Sequence, residues 1–365
     1  MNPARPIFRL ALKIATFALM ALTLASSAGG FVPPAIWSLP AALVLIFPYL
    51  TGALVIVSVI WLACGAWLTG IAGIVAVIIS LQLSPDTIGF STSKTPASGS
   101  KRFTLLTYNV SHGTNIKASP SPLSRSFSYI IGSGADIVML QEFNILSHKY
   151  NPDVSQSQID SLKKIYPYIV NGKSANMTVL SKYPVAEKGR WQATSDHIVS
   201  YYARIAGRDI EIINAHLASY RFSDKERMVV TDLKSGSRTR RGVAELKGSI
   251  SRKLGDAFRN RSLDAVMMRG IADTGLPDMI ICGDFNDVPG SWAYRHIAGK
   301  DFRDAVSSTT FGYLPTFNDN HFYFRIDHIL SRGDLKALSA EREKINASDH
   351  YPLLATFELT PRKNK

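Results

Sequence analysis

Met279-Ile280-Ile281-Cys282-Gly283-Asp284-Phe285-Asn286-Asp287 sets an apolar run directly against a cluster of polar groups. A short unbroken apolar run bounded by turn residues reads as a strand buried on both faces. Polar residues just past its end stand where a sheet exposes side chains to a ligand. The stretch predicts a buried strand over Met279–Gly283 whose carboxyl end presents Asp284 and Asn286.

The same arrangement recurs on either side. Asn109 follows Leu105-Leu106-Thr107-Tyr108, Glu142 follows Val138-Met139-Leu140-Gln141, and His216 follows Ile212-Ile213-Asn214-Ala215. Further on, Asp327 and His328 interrupt Arg325-Ile326-Asp327-His328-Ile329-Leu330, and Asp349 and His350 sit in Ala347-Ser348-Asp349-His350-Tyr351-Pro352. Length and β-branched content predict strands over Phe103–Val110, Ile137–Gln141, Asn176–Ser181, Ser200–Ile205, Ile210–His216 and Ile326–Leu330. Ser124–Gly132 and Gln158–Tyr166 read as helices. A longer helix is predicted from Arg238 to Met268, where Val243, Leu246, Ile250, Leu254, Ala257 and Phe258 repeat at helical spacing. Strands and helices that alternate irregularly, with neighbouring strands able to pair as hairpins, predict an α/β fold: a mixed-sheet sandwich covered by helices.

Taken singly, a polar residue at a strand end is a cap or a turn former, and His328 reads as a packed strand residue. The set reads differently, because no sequence-local role accounts for carboxylate, carboxamide and imidazole groups recurring at so many strand ends.

These blocks occupy only part of the 365-residue chain. From Ile7 to Leu83 the only charged residues are Arg9 and Lys13, whereas the sequence after Lys101 has the mixed charge of a water-soluble domain. A hydrocarbon core of about 30 Å takes roughly 20 apolar residues as helix. Ile7 to Ala28 supplies one such span, and Ile36 to Leu83 is long enough for two more with a turn near Cys64-Gly65. Residues 1–83 are therefore expected to be a membrane anchor, with three spans preferred over two. Ala25-Ser26-Ser27-Ala28 also fits a signal-peptide cleavage site, which would remove one span and leave the anchor. Arg5, Arg9 and Lys13 place the N-terminus in the cytoplasm by the positive-inside tendency. Three spans then put the following domain on the non-cytoplasmic side, and two leave it in the cytoplasm. Residues 84–100, rich in Ser, Thr, Pro and Gly, read as a flexible linker, and 101–365 as a water-soluble domain.

The net charge of +13 suits an anionic partner such as a phosphate ester, nucleic acid or acidic lipid headgroup, and equally a solvated surface beside an anionic membrane. Arg238, Arg240, Arg241, Arg252, Lys253, Arg259 and Arg261 concentrate that charge on the long helix, as a phosphate-tracking patch or as a solvated face. Only Cys64 and Cys282 are present, one in the apolar region and one in a predicted strand, which excludes a disulfide within the soluble domain.

The order Thr107-Tyr108-Asn109-Val110, Gln141-Glu142, Asn214-Ala215-His216-Leu217, Gly283-Asp284-Phe285-Asn286-Asp287, Arg325-Ile326-Asp327-His328 and Ser348-Asp349-His350-Tyr351-Pro352 resembles the endonuclease/exonuclease/phosphatase superfamily. The resemblance covers about Phe103 to Leu359 and leaves the apolar segment outside it. It implies a four-layered α/β sandwich with the site at one edge of two packed sheets. It also implies a metal-dependent phosphoric ester hydrolase using Mg2+, with Mn2+ as an alternative. By the same resemblance Glu142 binds the metal with Asn109 beside it and Asp349 completing the site. Asp284 is the base for the attacking water, and Asn286 holds that water or a phosphoryl oxygen. His350 touches the phosphate, Asp327 fixes the His350 tautomer, and His216 binds phosphate or protonates the leaving oxygen. Three functions follow as alternatives: a nuclease-like phosphodiesterase, a phospholipid or sphingolipid phosphodiesterase at the membrane surface, and a membrane-tethered binding module without catalysis. No protein partner is implied.

Overall fold

The computed structural model describes residues 4–111, 122–143, 156–172, 176–194, 197–220, 240–319 and 322–360. Four helices come first: α1 (Ala4–Ala28), α2 (Leu39–Leu45), α3 (Phe47–Ala63) and α4 (Trp67–Leu83). The chain continues through β1 (Gly89–Phe90), β2 (Lys101–Asn109), α5 (Pro122–Ser133), β3 (Ile137–Gln141), α6 (Gln156–Ile165), β4 (Tyr168–Asn171), β5 (Met177–Ser181), β6 (Val185–Gln192), β7 (His197–Ile205) and β8 (Arg208–His216). The long helix α7 (Arg240–Asp273) leads into β9 (Met279–Asp284), α8 (Trp292–Ala298), β10 (Arg303–Asp304), α9 (Ala305–Thr309), β11 (Phe311–Gly312), β12 (Phe317–Asp319) and β13 (Phe322–Phe324). The last strands are β14 (Asp327–Arg332), β15 (Leu335–Arg342) and β16 (Leu353–Leu359). Arg238, the expected start of the long helix, lies outside the described residues.

Two six-stranded mixed sheets carry the fold, in the orders β15-β16-β2-β3-β5-β4 and β10-β14-β9-β8-β7-β6. Alternation along β9 explains why its sequence is apolar throughout. Ile280 and Cys282 face the other sheet, meeting Leu105, Met139, Val179 and Ile212 in the central core. Met279 and Ile281 face outward and are covered by Ala265, Met268 and Ile271 of α7 and Tyr294 and Ile297 of α8. On the far side, Leu106, Val138 and Leu140 are covered by Phe127 and Ile130 of α5 and Leu162 of α6. The result is helix, sheet, sheet, helix: an α/β fold with two mixed sheets flanked by helices.

Within the first helices, Ile7–Phe31 is long and apolar enough to cross a membrane, and the α2–α3 pair, bent by 60°, passes the same test only if counted as one span. Helix α4, at 17 residues, is shorter. These helices pack through small and hydroxyl residues. Gly70 and Gly73 lie against Leu62 and Ser58, where a Cβ would meet Leu62 Cγ at 2.6 Å and Ser58 Oγ at 2.0 Å. Trp61 Nε1 donates to Thr16 Oγ1 at 2.9 Å. Their outward surface is apolar, with Ile7, Phe8, Ile14, Ile56, Leu68 and Ile71 all exposed.

The bundle touches the sheet domain close to the ends of β9 and β14. Val44 of α2 packs on Val288 and Ile326. Tyr49 Oη donates to the Tyr323 carbonyl at 2.5 Å, and its ring meets Phe324 edge-on. The segment after α4 then follows the domain surface: Lys94 N donates to Leu338 O at 2.7 Å and Ala97 N to Glu358 Oε2 at 2.7 Å.

Candidate active site

Strand register alone gathers most of the site. In the parallel pair β8–β9, His216 lies opposite Asp284, and in the antiparallel pair β9–β14, Asp327 lies opposite Asp284. Asp284 is thus flanked by an imidazole on one neighbouring strand and a carboxylate on the other. In the facing sheet, β2 and β3 run parallel and end together, with Asn109 opposite Gln141 and Glu142 next in the chain. A glycine is required just before Asp284. Gly283 has φ +128°, and a Cβ there would lie 2.0 Å from the Ala215 carbonyl oxygen. Beneath the site, Gln141 Nε2 donates to Asn214 Oδ1 at 2.7 Å and Asn214 Nδ2 donates to Leu140 O at 3.2 Å, cross-linking the two sheets in the dry interior.

The side chains meet around the Asp284 carboxylate. Its Oδ2 accepts from Asn109 Nδ2 at 3.0 Å and Asn286 Nδ2 at 3.2 Å. His216 Nε2 and His350 Nε2 each stand 3.6 Å from the same oxygen. Asn109 Nδ2 also donates to Glu142 Oε1 at 3.1 Å, and His216 Nε2 lies 3.6 Å from that atom. The amide oxygen of Asn109 accepts from Ser111 N at 2.9 Å, which leaves its Nδ2 to link the two carboxylates.

His350 arrives on the loop before β16. Its ring sits edge-on to Phe317, its backbone N donates to Ser348 Oγ at 3.1 Å, and Ser348 Oγ donates to the Asn109 carbonyl at 2.9 Å. Asp349 comes with it, its Oδ1 accepting from Ser348 Oγ at 3.3 Å. On its other side the His350 ring closes on Asp327, Nδ1 to Oδ2 2.9 Å, with both residues buried. Every candidate residue is therefore at one end of the two sheets, and Glu142, Asn109, Asp284, His216, Asn286, Asp327 and His350 form one connected cluster.

Two of these residues hold backbone conformations that β-carbon-bearing residues adopt rarely: Glu142 has φ +56° and Asn286 φ +52°. Such strain persists where the surroundings over-determine it, and it concentrates at functional sites. At Asn286 the determinants are visible: its N donates to Asp284 Oδ1 at 2.8 Å and its Nδ2 also donates to Leu217 O at 3.0 Å.

The electrostatics follow from packing acids together out of water. Burial raises the Asp284 pKa, an effect that the neighbouring His350 opposes. Burial by itself disfavours a charged His350 ring, yet the carboxylates of Asp327 and Asp284 hold its pKa well above the usual histidine value. Three carboxylates converging in a largely buried pocket create a deficit of positive charge, which a protonated His350 offsets in part and a hard divalent cation would offset further. The donors fit such a cation. Carboxylate oxygens dominate: those of Asp284 and Asp327 lie within 4.8 Å of each other, and Asn109 Nδ2 joins the Glu142 carboxylate to that of Asp284.

Sequence spacing missed Thr316 and the inward placement of Arg261, while His328 is the packed strand residue that its context predicts. Thr316 Oγ1 accepts from the backbone N of both Ile326 and Asp327, at 3.1 and 3.0 Å, and so fixes the start of β14. His328 is fully buried between Phe285 and Tyr294, and its Nε2 hydrogen-bonds the Asp287 carbonyl at 2.9 Å, bracing the loop after β9. Arg261, grouped by its spacing with the outward basic residues of the long helix, is fully buried beside that same loop.

The two-sheet sandwich collects carboxylates, carboxamides and histidines at adjoining strand ends, a set of groups suited to hydrolysing a phosphoester. The chain belongs to the Endonuclease/Exonuclease/phosphatase family, whose model matches residues 106–350, and it is accordingly a phosphoric ester hydrolase. Members of that family generally depend on a divalent metal. Solved structures resemble it at the level of fold. A humanized D. rerio TDP2 is 15% identical, covers 70% of this chain and 98% of its own, and superposes with a TM-score of 0.44. A family protein from Leptotrichia buccalis is 18% identical, with 70% and 99% coverage and a TM-score of 0.44. ANGEL2, described as a 2',3'-cyclic phosphatase, is 16% identical, with 74% and 99% coverage and a TM-score of 0.43. No curated protein matches the chain.

Proposed function

We propose that this enzyme is a membrane-anchored, nuclease-like phosphodiesterase that works with Mg2+, Mn2+ being the alternative. The observation that carries the reading is the convergence of Glu142, Asn109, Asp284, His216 and His350 on one carboxylate oxygen and its neighbours.

Glu142, with Asn109 beside it and Asp349 nearby, would hold the cation. The ion, when bound, neutralises phosphoryl oxygens and lowers the pKa of coordinated water. Asp284 takes the proton from the attacking water, and Asn286, held by Asp284 and Leu217, orients that water or a phosphoryl oxygen. His350 donates to a phosphoryl oxygen from Nε2, because its Nδ1–H is committed to Asp327 and the ring charge is sustained by both acids. His216, within reach of Glu142 and Asp284, binds the phosphate or protonates the leaving oxygen.

A long apolar α1, the apolar outward surface of the bundle and its small-residue packing support a membrane anchor. We assign three spans, with α4 at the short end of the spanning range, a cytoplasmic N-terminus and a non-cytoplasmic catalytic domain. Residues 84–100 serve as the connector between anchor and domain. A second reading, a phospholipid or sphingolipid phosphodiesterase, has its own support: Val44, Phe317 and Phe324 join the apolar helices to the rim beside His350.

The test is hydrolysis of bis(p-nitrophenyl) phosphate by the full chain in detergent, with and without Mg2+ or Mn2+, followed by plasmid DNA against phospholipid vesicles. Metal-dependent turnover with nicking of the plasmid supports the nuclease-like reading. Turnover of vesicle lipid with intact plasmid selects the second reading, and no turnover of any substrate refutes both.

A further inference from the structure

Arg261 is among the largest fully buried side chains of the protein. An arginine taken out of water is destabilising by several kcal/mol, on the order of a buried ion, unless its donors are satisfied. Here Nε and Nη1 are satisfied from two directions, while Nη2 has no hydrogen-bond partner among the described residues. The guanidinium donates to the Asn286 carbonyl, its Nη1 donates to Tyr220 Oη at 3.2 Å, and its Nε donates to Ala257 O at 3.2 Å. Nη1 lies 3.5 Å from Asp287 Oδ2, and the planar group rests over the Tyr220 ring at 4.3 Å and the Phe258 ring at 4.9 Å. Burial pushes the Tyr220 phenol up to about 12, so it stays a neutral hydroxyl that accepts from Arg261 at neutral pH.

Those partners are not a random sample of the core. Asn286 and Asp287 belong to the loop that leaves Asp284, and Tyr220 belongs to the segment that leaves His216. One side chain on α7 thus ties the helix to both exits from the site. We infer that Arg261 is a positioning residue for phosphoester hydrolysis: it grips the Asn286 carbonyl and so keeps the strained Asn286 amide on Asp284. This inference rests on the proposed function above. Arginine suits the position because its Nη1 serves acceptors on two segments while Nε bonds the Ala257 carbonyl and the flat group stacks on the Tyr220 and Phe258 rings. Lysine keeps the charge and loses that geometry.

The experiment uses the full chain in detergent with Mg2+ or Mn2+ and bis(p-nitrophenyl) phosphate, comparing wild type, Arg261→Met, Arg261→Lys and Met268→Ala. Met268 lies two turns further along the same helix, buried in the apolar cluster that packs on the second sheet, so its truncation controls for loss of helix packing. Arg261→Met is expected to lower kcat roughly 10²-fold with KM changed by no more than about twofold, as for a misplacement of catalytic groups by about 1 Å. Arg261→Lys should fall between it and wild type, and Met268→Ala should keep the wild-type kcat despite a lower Tm. Wild-type kcat in Arg261→Met overturns this inference alone, as does a kcat loss in Met268→Ala that tracks its Tm in the same way. A wild-type protein that turns over nothing overturns the proposed function and this inference with it.

Discussion

Replacing Asp327 by asparagine isolates one charge in the site. The two side chains have nearly the same shape, and Asp327 is buried with its backbone N–H already bonded to Thr316, so the fold around it has no steric reason to move. The loss is the charge-assisted contact between Asp327 Oδ2 and His350 Nδ1, 2.9 Å apart. Such a contact contributes about 1.5–3 kcal/mol. At about 1.4 kcal/mol per tenfold, kcat/KM for an aryl phosphodiester should fall roughly ten- to 150-fold. The pH profile adds a sign. His350 is held protonated above its ordinary range partly by Asp327, so neutralising that acid lets the ring lose its proton at lower pH. The alkaline limb of kcat should therefore move toward acid. Stopped assays across pH 5 to 10 on folded protein check both effects. Activity within about twofold of wild type together with an unmoved limb would refute the view that Asp327 orients and charges His350.

Two other perturbations test more distant parts of the account. Asp304 is buried and accepts from Arg325 Nη1 at 2.8 and 3.0 Å and from Tyr294 Oη at 2.8 Å; burial opposes its ionisation, but Arg325 and His328 more than compensate and hold its carboxyl well below the usual range. A depressed acid stabilises the fold above its unfolded pKa of about 4, and that contribution is lost as pH falls toward the folded value. Asp304→Asn strands a buried arginine, so Tm should drop by about 10 °C at neutral pH, and the gap to wild type should narrow below about pH 4 in thermal melts. Val44→Asp places a carboxylate against Val288 and Ile326; if the helical bundle braces the loop after β9, kcat should fall at least roughly tenfold with KM little changed, and an unaffected kcat would uncouple bundle from site.

Much of this arrangement was legible in the sequence because strand register transmits it. The expected strand over Ile137–Gln141 coincides with β3, and those over Met279–Gly283 and Ile210–His216 fall within β9 and β8. Once these pair, their polar terminal residues must meet. What the sequence hid has physical causes. β15, LKALSAER, and β16, LLATFEL, are rich in leucine, alanine and glutamate, which favour helix, and they became strands as β16 paired with β2 and β15 with β16. The left-handed conformations of Glu142 and Asn286 leave no compositional mark. Arg261 sits at a spacing that reads as a solvated basic face, and only the packing of α7 against the loop after β9 turns it inward. In the apolar segment the break expected near Cys64-Gly65 falls between α3 and α4, while the 60° bend between α2 and α3 at Ile46 had no signal beyond Pro48.

The most direct test compares wild type with Asp284→Ala in Mg2+-supported hydrolysis of bis(p-nitrophenyl) phosphate, each shown folded by its thermal melt. With every neighbouring donor aimed at this carboxylate, the account predicts a rate at least roughly 10³-fold below wild type, the removal of a general base together with the group that organises its surroundings. Hydrolysis by Asp284→Ala at a rate close to wild type would contradict it.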